Sequence, residues 1–156
     1  MGVRADRTVA ESFRVMRQQP PFEPFEHDAD LGLRVRGRSF EDLCANAARG
    51  MVQLMVDPAA VRPVQDVRLQ AEGDDAEMLL VDWLNQILFA FEVDRFVPAQ
   101  VEVTAAGAGR LQGLLRGETL DESRHETRHA IKAVTYHRLS VRKTGEGYEV
   151  SIVFDV

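Results

Sequence analysis

The spacing of the apolar residues changes along this chain, and this change limits the folds that it can adopt. Apolar residues recur every three or four positions from Phe40 to Leu54 and again from Leu80 to Phe91, as on one face of a helix. From Val97 onward apolar and polar residues mostly alternate, which is the period of a half-buried strand. Two helices followed by hairpin-linked strands predict an α+β fold, with two main helices packed on a largely antiparallel β-sheet.

Polar residues ahead of each apolar stripe predict where the helices begin. Ser39 offers an N-cap hydroxyl with Asp42 three residues later, and this first helix is predicted to end near Pro58. Asp74, with Glu77 three residues later, is predicted to cap the second helix. The side chains of the second helix that we expect in the core are Leu80, Trp83, Leu84, Ile87, Leu88, Phe89 and Phe91.

Alternating segments predict the positions of the strands. A first strand is expected near residues 31–36 and a second near residues 67–71, each with one buried face. Residues 101–105 and 111–115 flank a glycine turn at 107–109 and are typical of a hairpin. Residues 134–141 and 148–154, joined by a turn over residues 144–147, predict a second hairpin.

Length and composition indicate one domain. The chain has 156 residues, of which 45% are hydrophobic, and this is enough to build one core. Residues 1–23 show no sustained period, so we expect a flexible leader there and one domain over residues 24–156. The sequence shows no signal peptide and no apolar run of ~20 residues, so we expect a cytoplasmic protein without membrane contact. The single cysteine, Cys44, is expected to be buried.

The charge balance argues against direct nucleic-acid binding. The formal net charge is -6, and the only lysines are Lys132 and Lys143. Proteins that bind nucleic acid unaided usually cluster Lys and Arg, because neutralising phosphates releases counterions. If this chain serves an RNA pathway, we therefore expect it to act through a protein partner of complementary charge.

Potential metal ligands occur at both ends of the predicted domain. Residues 26–30 (EHDAD) contain three acids and a histidine. They either bind a cation or form a solvated acidic turn, and without other information the solvated turn is favoured. Asp155 directly follows an apolar strand and precedes the terminal carboxylate of Val156. If the last strand lies beside the strand that begins at Leu31, then Asp30, Asp155 and Val156 would converge as oxygen ligands for Ca²⁺ or Mg²⁺.

Other polar residues allow further hypotheses. His125 and His129 have the four-residue spacing of some zinc sites, with His137 nearby, but the flanking residues predict a loop instead. Lys132 begins an apolar strand, where a lysine either reaches solvent or binds a carboxylate or phosphate. We find no phosphate-binding glycine loop, serine elbow or Cys–His pair, so no catalytic residues are predicted.

Five segments together resemble one family. Their order matches the blocks of the archease family: residues 25–32 (FEHDADLG), 79–85 (LLVDWLN), 117–118 (GE), 131–137 (IKAVTYH) and 154–156 (FDV). The resemblance covers about residues 24 to 156. The chain departs from the pattern at Asp28, where a threonine is common, and the extra charge is expected to alter metal preference without removing a ligand.

The resemblance implies an accessory protein and not an enzyme. Archeases activate the GTP-dependent RNA-splicing ligase, which joins a 2′,3′-cyclic phosphate or 3′-phosphate end to a 5′-hydroxyl in tRNA splicing and RNA repair. They promote ligase guanylylation and multiple turnover, and they use a divalent cation, most often Ca²⁺, with Mg²⁺ or Mn²⁺ as alternatives. By position, Asp30, Asp155 and Val156 match the metal-ligand residues of the family, and His27 and Lys132 match motif positions with supporting roles.

Two other functions stay open at the level of sequence. A stand-alone metal-dependent phosphoesterase would hold Mg²⁺ or Mn²⁺ with Asp30 and Asp155 and use His27 as general acid or base. A general folding chaperone would need an exposed apolar patch, and the acidic composition argues against it.

Overall fold

The computed structural model describes residues 19–27, 30–136 and 138–156. Within these ranges the chain forms, in order, β1 (Phe22–His27), β2 (Asp30–Gly37), α1 (Phe40–Met55), β3 (Gln65–Glu72), α2 (Ala76–Glu92), β4 (Phe96–Gly107), β5 (Arg110–Thr119), β6 (Ala133–Val134), β7 (Arg142–Thr144) and β8 (Gly147–Asp155). A short 3-10 helix, Pro58–Ala60, follows α1.

The strands divide into two sheets, whereas the sequence predicted one. In the larger sheet β1, β2, β8 and β6 are neighbours in that order, and β7 also pairs with β8. The smaller sheet has the order β3, β5, β4. Every strand pair described is antiparallel, so the predicted α+β class is confirmed. The division into two sheets was not predictable, because alternation shows which face of a strand is buried but not which strand lies beside it.

Both helices and both sheets contribute to one core. Helix α1 packs against β2 of the larger sheet and against β4 of the smaller sheet, whereas α2 packs mainly against β3. Trp83 of α2 is fully buried, and its indole N–H donates to the Cys44 carbonyl oxygen of α1 at 3.0 Å. The ring also covers Gly113 of β5, which has no side chain to obstruct it. Trp83 therefore connects the two helices with the smaller sheet.

Helix α1 begins at the predicted cap and ends slightly earlier than predicted. The Ser39 hydroxyl oxygen accepts a hydrogen bond from the Asp42 N–H at 3.1 Å, as the sequence indicated. The helix ends at Met55, three residues before Pro58, because Val56 adopts an extended conformation. Pro58 instead occupies the first turn of the short 3-10 helix, where a missing N–H is tolerated.

Helix α2 differs from its prediction by one residue at the cap and by one core side chain. The cap is Asp75 and not Asp74, since the Asp75 carboxylate accepts from the Met78 N–H at 2.7 Å. The predicted core residues of α2 are buried or packed against the core except Phe89, which is 61% exposed. Phe89 is next to Leu88 in sequence, and a step of about 100° around a helix turns its side chain toward solvent.

The sequence did not predict β1, the edge strand of the larger sheet. Pro24 and the charged residues around it interrupt the alternation that marks a strand, but proline is tolerated at a sheet edge. The predicted domain boundary at residue 24 lies within this strand, and residues 1–18 of the predicted leader lie outside the described residues.

The prediction of a single strand over residues 134–141 was wrong. Strand β6 contains only Ala133 and Val134, and the chain then leaves the sheet through a turn in which Arg138 has a positive φ of 58°. It returns to β8 as β7, so two short strands share one edge of β8. The segment between β6 and β7 is apolar because it packs on the core as a loop, with Leu139 and Val141 in contact with core residues.

Candidate functional site

Two aspartates that are far apart in sequence meet at one end of the larger sheet. Strands β2 and β8 run antiparallel with Leu31 opposite Phe154. Asp30 precedes Leu31 and Asp155 follows Phe154, so this register brings the two aspartates to neighbouring positions on adjacent strands. The strand adjacency on which the metal-site prediction depends is therefore present, and the ligand roles of Asp30, Asp155 and Val156 stay a prediction.

Both aspartates line one pocket on the outer face of the larger sheet. The pocket has a volume of about 390 Å³, and its lining includes Asp30, Asp155, Phe25, Arg34, Thr135 and Arg138. The opposite face of the same strands carries the buried core residues Leu33, Ile152 and Phe154. Because successive side chains of a strand point to opposite faces, the alternation that builds the core also directs Asp30 and Asp155 outward.

The backbone of β6 helps to position the C-terminal end of β8. Ala133 pairs with Asp155, and the Lys132 N–H donates to the Asp155 carbonyl oxygen at 2.7 Å. The Val134 N–H donates to the side-chain oxygen of Asn85 on α2 at 3.2 Å. The Lys132 side chain is exposed at this end of the sheet, so it is available to an anionic partner. These bonds connect three of the five segments that resemble the archease blocks.

The donor set of this sheet end fits a hard divalent cation. Asp30 and Asp155 are both exposed, and two carboxylates brought together by a sheet register repel each other unless a cation or donor offsets the charge. Among the described residues no group of three or more His, Cys, Asp or Glu side chains is placed to hold a metal. A complete ligand set would therefore draw on further oxygen atoms, such as the terminal carboxylate of Val156.

The remaining residues of the predicted site are only partly described. His27 is the strand partner of Asp30 at the end of β1, which puts its backbone beside the site. The predicted supporting role of the His27 side chain lies outside what the structure describes. Asp28, whose charge was expected to change metal preference, also lies outside the described residues.

An aromatic ring covers the outer face of the sheet beside the aspartates. Phe25 of β1 is the cross-strand partner of Gly32 on β2, and a Cβ atom at Gly32 would lie only 2.4 Å from the Phe25 ring. Gly32 thus provides the space in which the ring lies flat on the sheet. The Arg34 guanidinium carbon is 6.0 Å from the ring centroid, at the outer limit of a cation–π contact.

The structure also places arginines together that the sequence analysis did not group. Arg34, Arg36 and Arg142 line a second pocket of about 240 Å³, which shares Arg34 and Ser151 with the first pocket. Overall composition gave no sign of this grouping, because acidic residues outnumber basic ones in the chain. The available signal was the alternation of Arg34 and Arg36 on one face of β2, but Arg142 joins them only through pairing of β7 with β8.

The archease-like Gly-Glu segment contains a buried carboxylate. Glu118 is 7% exposed and accepts hydrogen bonds from the Arg124 guanidinium and the Arg62 backbone N–H. These two hydrogen bonds lower the pKa of Glu118 from 4.5 to about 2, and the bond from the Arg124 side chain has the larger effect. Glu118 therefore stays ionised and ties the loop that precedes β6 to the smaller sheet.

The two candidate zinc-binding histidines that the structure describes, His125 and His129, do not form a zinc site. His125 is 2% exposed, and its Nδ1 accepts from the Asp121 N–H at 2.9 Å, while its Nε2 lies 3.3 Å from the Glu118 carboxylate. Both ring nitrogens are thus occupied, and His129 is exposed in the same loop. The expected loop is confirmed over the described residues, and His137 lies outside them.

None of the helices in the described residues is long and apolar enough to cross a bilayer. Cys44 is fully buried in α1, as predicted, and burial raises the pKa of its thiol well above the usual range.

Comparisons with known proteins agree with the ordered segments and with the fold. The model of the Archease protein family matches residues 22–156. Protein archease of Saccharolobus solfataricus is 36% identical over 142 residues, which cover 90% of this chain and 100% of the relative. Protein archease of Methanopyrus kandleri is 36% identical over 139 residues, which cover 87% of this chain and 99% of the relative.

Solved structures share the architecture. The solution structure of Methanobacterium thermoautotrophicum protein 1598 superposes with a TM-score of 0.74 at 27% identity, covering 88% of this chain and 100% of that one. A crystal structure from Thermotoga maritima, described as an archease and possible chaperone, gives a TM-score of 0.62 at 20% identity. The superposition covers 86% of this chain and 96% of that one. The second likeness bears on the fold alone. Since the family model and the relatives cover most of its length, this chain belongs to the archease family.

Proposed function

We propose that this chain is a cytoplasmic accessory protein, not itself an enzyme, that activates a GTP-dependent RNA-splicing ligase. In this role it promotes guanylylation of the ligase and multiple turnover in tRNA splicing and RNA repair. Membership of the archease family supports the proposal.

The observation that carries this proposal is the meeting of Asp30 and Asp155 through the β2–β8 register. Asp30 adjoins Leu31, which is partly buried, and Asp155 adjoins its cross-strand partner Phe154, which is fully buried. The two carboxylates therefore project from a rigid sheet end and not from a free loop. A rigid display of acidic groups suits an activator, because groups that are already positioned need no reorganisation when the partner docks.

A divalent cation is the proposed cofactor of this sheet end. Asp30, Asp155 and the terminal carboxylate of Val156 would hold it, with Ca²⁺ the favoured ion and Mg²⁺ or Mn²⁺ as alternatives. When bound, the cation would neutralise the clustered negative charge. The protein's own contribution is to hold the carboxylates in register, through the bond from the Lys132 N–H to the Asp155 carbonyl oxygen and through the pairing of β2 with β8.

The proposed partner surface is the outer end of the larger sheet. Acidic groups and arginines lie within one face, and the exposed Lys132 lies at the same end of the sheet, so a partner could be oriented by charges of both signs. The overall negative charge of the chain also favours association with a basic protein. Nucleic acid would then be bound by the ligase, and the chain would contribute to arranging the nucleotide site of that enzyme.

The test combines the chain, in less than stoichiometric amounts, with the RNA ligase of the same organism, GTP, Mn²⁺ and a 3′-phosphate RNA. The measured quantity is the number of RNA ends joined per ligase molecule. We expect multiple turnovers with the unmodified chain and a return to about one turnover with Asp30→Asn or Asp155→Asn. Asp66→Asn is the matched control, because Asp66 is an exposed aspartate on a strand of the other sheet.

Equal activity of Asp30→Asn, Asp155→Asn and the unmodified chain would contradict the proposed role of the sheet end. Turnover of a generic phosphodiester by the metal-loaded chain alone, lost in Asp155→Asn, would identify the phosphoesterase instead. Suppression of aggregation of unrelated proteins, with no effect on the ligase, would identify a general chaperone.

A further inference from the structure

An arginine-rich groove crosses the outer face of the larger sheet although the chain as a whole is acidic. Arg34 and Arg36 lie on one face of β2, and Arg142 reaches the same face from β7 through its pairing with β8. Arg138 lines the adjoining pocket that contains Phe25. The two pockets share Arg34 and Ser151, so they form one continuous groove, which we call the arginine groove.

Four carboxylates lie in or beside this groove: Asp30 and Asp155 line the part that contains Phe25, and Glu23 and Glu149 pair with the arginines of the other part. Glu23 lies 3.7 Å from Arg34 and 3.2 Å from Arg36, so one carboxylate serves two guanidinium groups. Glu149 lies 2.9 Å from Arg142. The pairs made by the exposed Arg34 and Arg142 contribute little to stability, so an incoming anion with several oxygens can replace them. Arg36 is less exposed, at 24%, and it also donates to the Pro20 carbonyl oxygen at 3.4 Å. A guanidinium group can donate two parallel hydrogen bonds to the oxygens of one phosphate group. A single carboxylate shared by two arginines cannot accept two such bonds from each of them.

The other part of the groove contains an aromatic ring beside the two aspartates of the candidate metal site. The Phe25 ring lies over Gly32, and Val153 and Thr135 line the same pocket. A flat ring beside a guanidinium group is a stacking surface for a planar base, and stacking of this kind accepts any base. The groove therefore offers an aromatic surface for a base next to arginines for phosphates, in one small space.

We infer that the arginine groove binds a nucleoside polyphosphate, with its base against Phe25 and its phosphates on Arg34, Arg36 and Arg142. Pocket volumes of about 390 and 240 Å³ suit a small ligand. A long polyanion is disfavoured, because the net charge of -6 would repel every part of it outside the groove. This inference concerns binding by the chain alone, so it can fail without affecting the ligase proposal.

Amide NMR spectra of the EDTA-treated chain test this binding at low ionic strength, where any metal at the aspartates is removed. The ligands are GTP, ATP, guanosine and inorganic tripolyphosphate. We expect saturable shifts of β2 and β8 amides around Arg34 and Ser151 with GTP and with ATP. Guanosine and tripolyphosphate should each bind at least roughly tenfold more weakly than GTP. Guanosine keeps only the contact of the base with Phe25, and tripolyphosphate keeps only the contacts of phosphate with the arginines.

Two variants separate specific binding from general attraction to positive charge. Arg142→Gln should weaken GTP binding about tenfold, since it removes charge-assisted hydrogen bonds to phosphate. Arg110→Gln should leave binding unchanged and is closely matched: Arg110 is 66% exposed and paired with Glu72, as Arg142 is 70% exposed and paired with Glu149. Phe25→Leu should weaken GTP binding while leaving tripolyphosphate binding unaltered.

Three results would overturn the inference. The first is the absence of saturable shifts with either nucleotide. The second is an equal loss of GTP affinity in Arg110→Gln and Arg142→Gln, which would indicate only diffuse charge attraction. The third is binding of a short 3′-phosphate RNA at the groove that GTP fails to displace, which would assign the groove to an RNA end and not to a nucleotide.

Discussion

The contact between Trp83 and Gly113 makes a quantitative prediction about the core. A Cβ atom added at Gly113 would lie 2.1 Å from Cη2 and 2.5 Å from Cζ3 of the Trp83 ring. Carbon atoms in favourable contact are about 3.5–4.0 Å apart, so the overlap is about 1.5 Å. The ring cannot easily move away, because it is fully buried and its N–H is bonded to the Cys44 carbonyl oxygen.

Gly113→Ala should therefore lower the free energy of unfolding by about 2–3 kcal/mol, in the upper part of the range for overpacked cores. For a chain of this size each kcal/mol lowers the Tm by about 2–4 °C. The cost arises from crowding alone, since the backbone of Gly113 does not have the positive φ that disfavours side chains. Gly145→Ala is the control, because a Cβ there would meet no atom within 4 Å, and its effect should stay within about 0.5 kcal/mol.

A double-mutant cycle identifies the cause of this loss. Trp83→Phe removes the outer ring atoms that overlap with the added methyl group, so Gly113→Ala should cost less than about 1 kcal/mol in that background. Trp83→Phe by itself is also destabilising, because it leaves the buried Cys44 carbonyl oxygen without its indole donor. Urea unfolding followed by far-ultraviolet circular dichroism measures all four proteins, since the single tryptophan cannot report on its own replacement.

Steric overlap between the Gly113 position and the Trp83 ring would be refuted if Gly113→Ala proved as stable as Gly145→Ala. It would also be refuted if Gly113→Ala cost the same with Trp83 and with Trp83→Phe. Either result would mean that the ring has room that the structure does not show.

Three further predictions concern other parts of the molecule. Ser39→Ala should cost about 1 kcal/mol in urea unfolding, because it removes the hydroxyl that caps α1. The hydrogen bond from Arg124 is the main cause that lowers the pKa of Glu118 from 4.5 to about 2. The ionised Glu118 carboxylate therefore stabilises the fold above pH 4.5, and this stabilisation is lost as the pH falls toward 2. Glu118→Gln should remove this part of the acid dependence of unfolding, and an unchanged profile would contradict it. The Cys44 thiol should react with a thiol reagent only when the chain unfolds, because burial raises its pKa.

The local elements of the fold were largely predictable from the sequence. Ser39 and the apolar stripe of α1 marked the first helix, and the stripe from Leu80 to Leu88 marked the second. The hairpin of β4 and β5 also followed from alternation around glycines. Where prediction failed, the local signal was weak: Pro24 hid an edge strand, and the apolar residues from 134 to 141 were read as one strand although they pack as a loop.

The candidate site was predictable only in its residue types. Asp30 and Asp155 could be selected as carboxylates next to apolar strands, and the archease-like segments supplied the same residues. Whether these residues meet depends on a strand pairing across more than a hundred positions, which no local pattern encodes. The arginine groove was missed for the same reason, since Arg142 joins Arg34 and Arg36 through β8, and the overall negative charge concealed this local grouping.

The sequence by itself determined the class of fold, the cap of α1, the family and the identity of the candidate ligands. Its apolar periodicity reports how each segment divides into a buried and an exposed face, because that division depends on neighbours within a few residues. The tertiary structure alone decided that the strands form two sheets, that Asp30 and Asp155 meet, and that an aromatic ring lies beside several arginines. These arrangements depend on which segments pair, and pairing depends on how the whole core packs around residues such as Trp83.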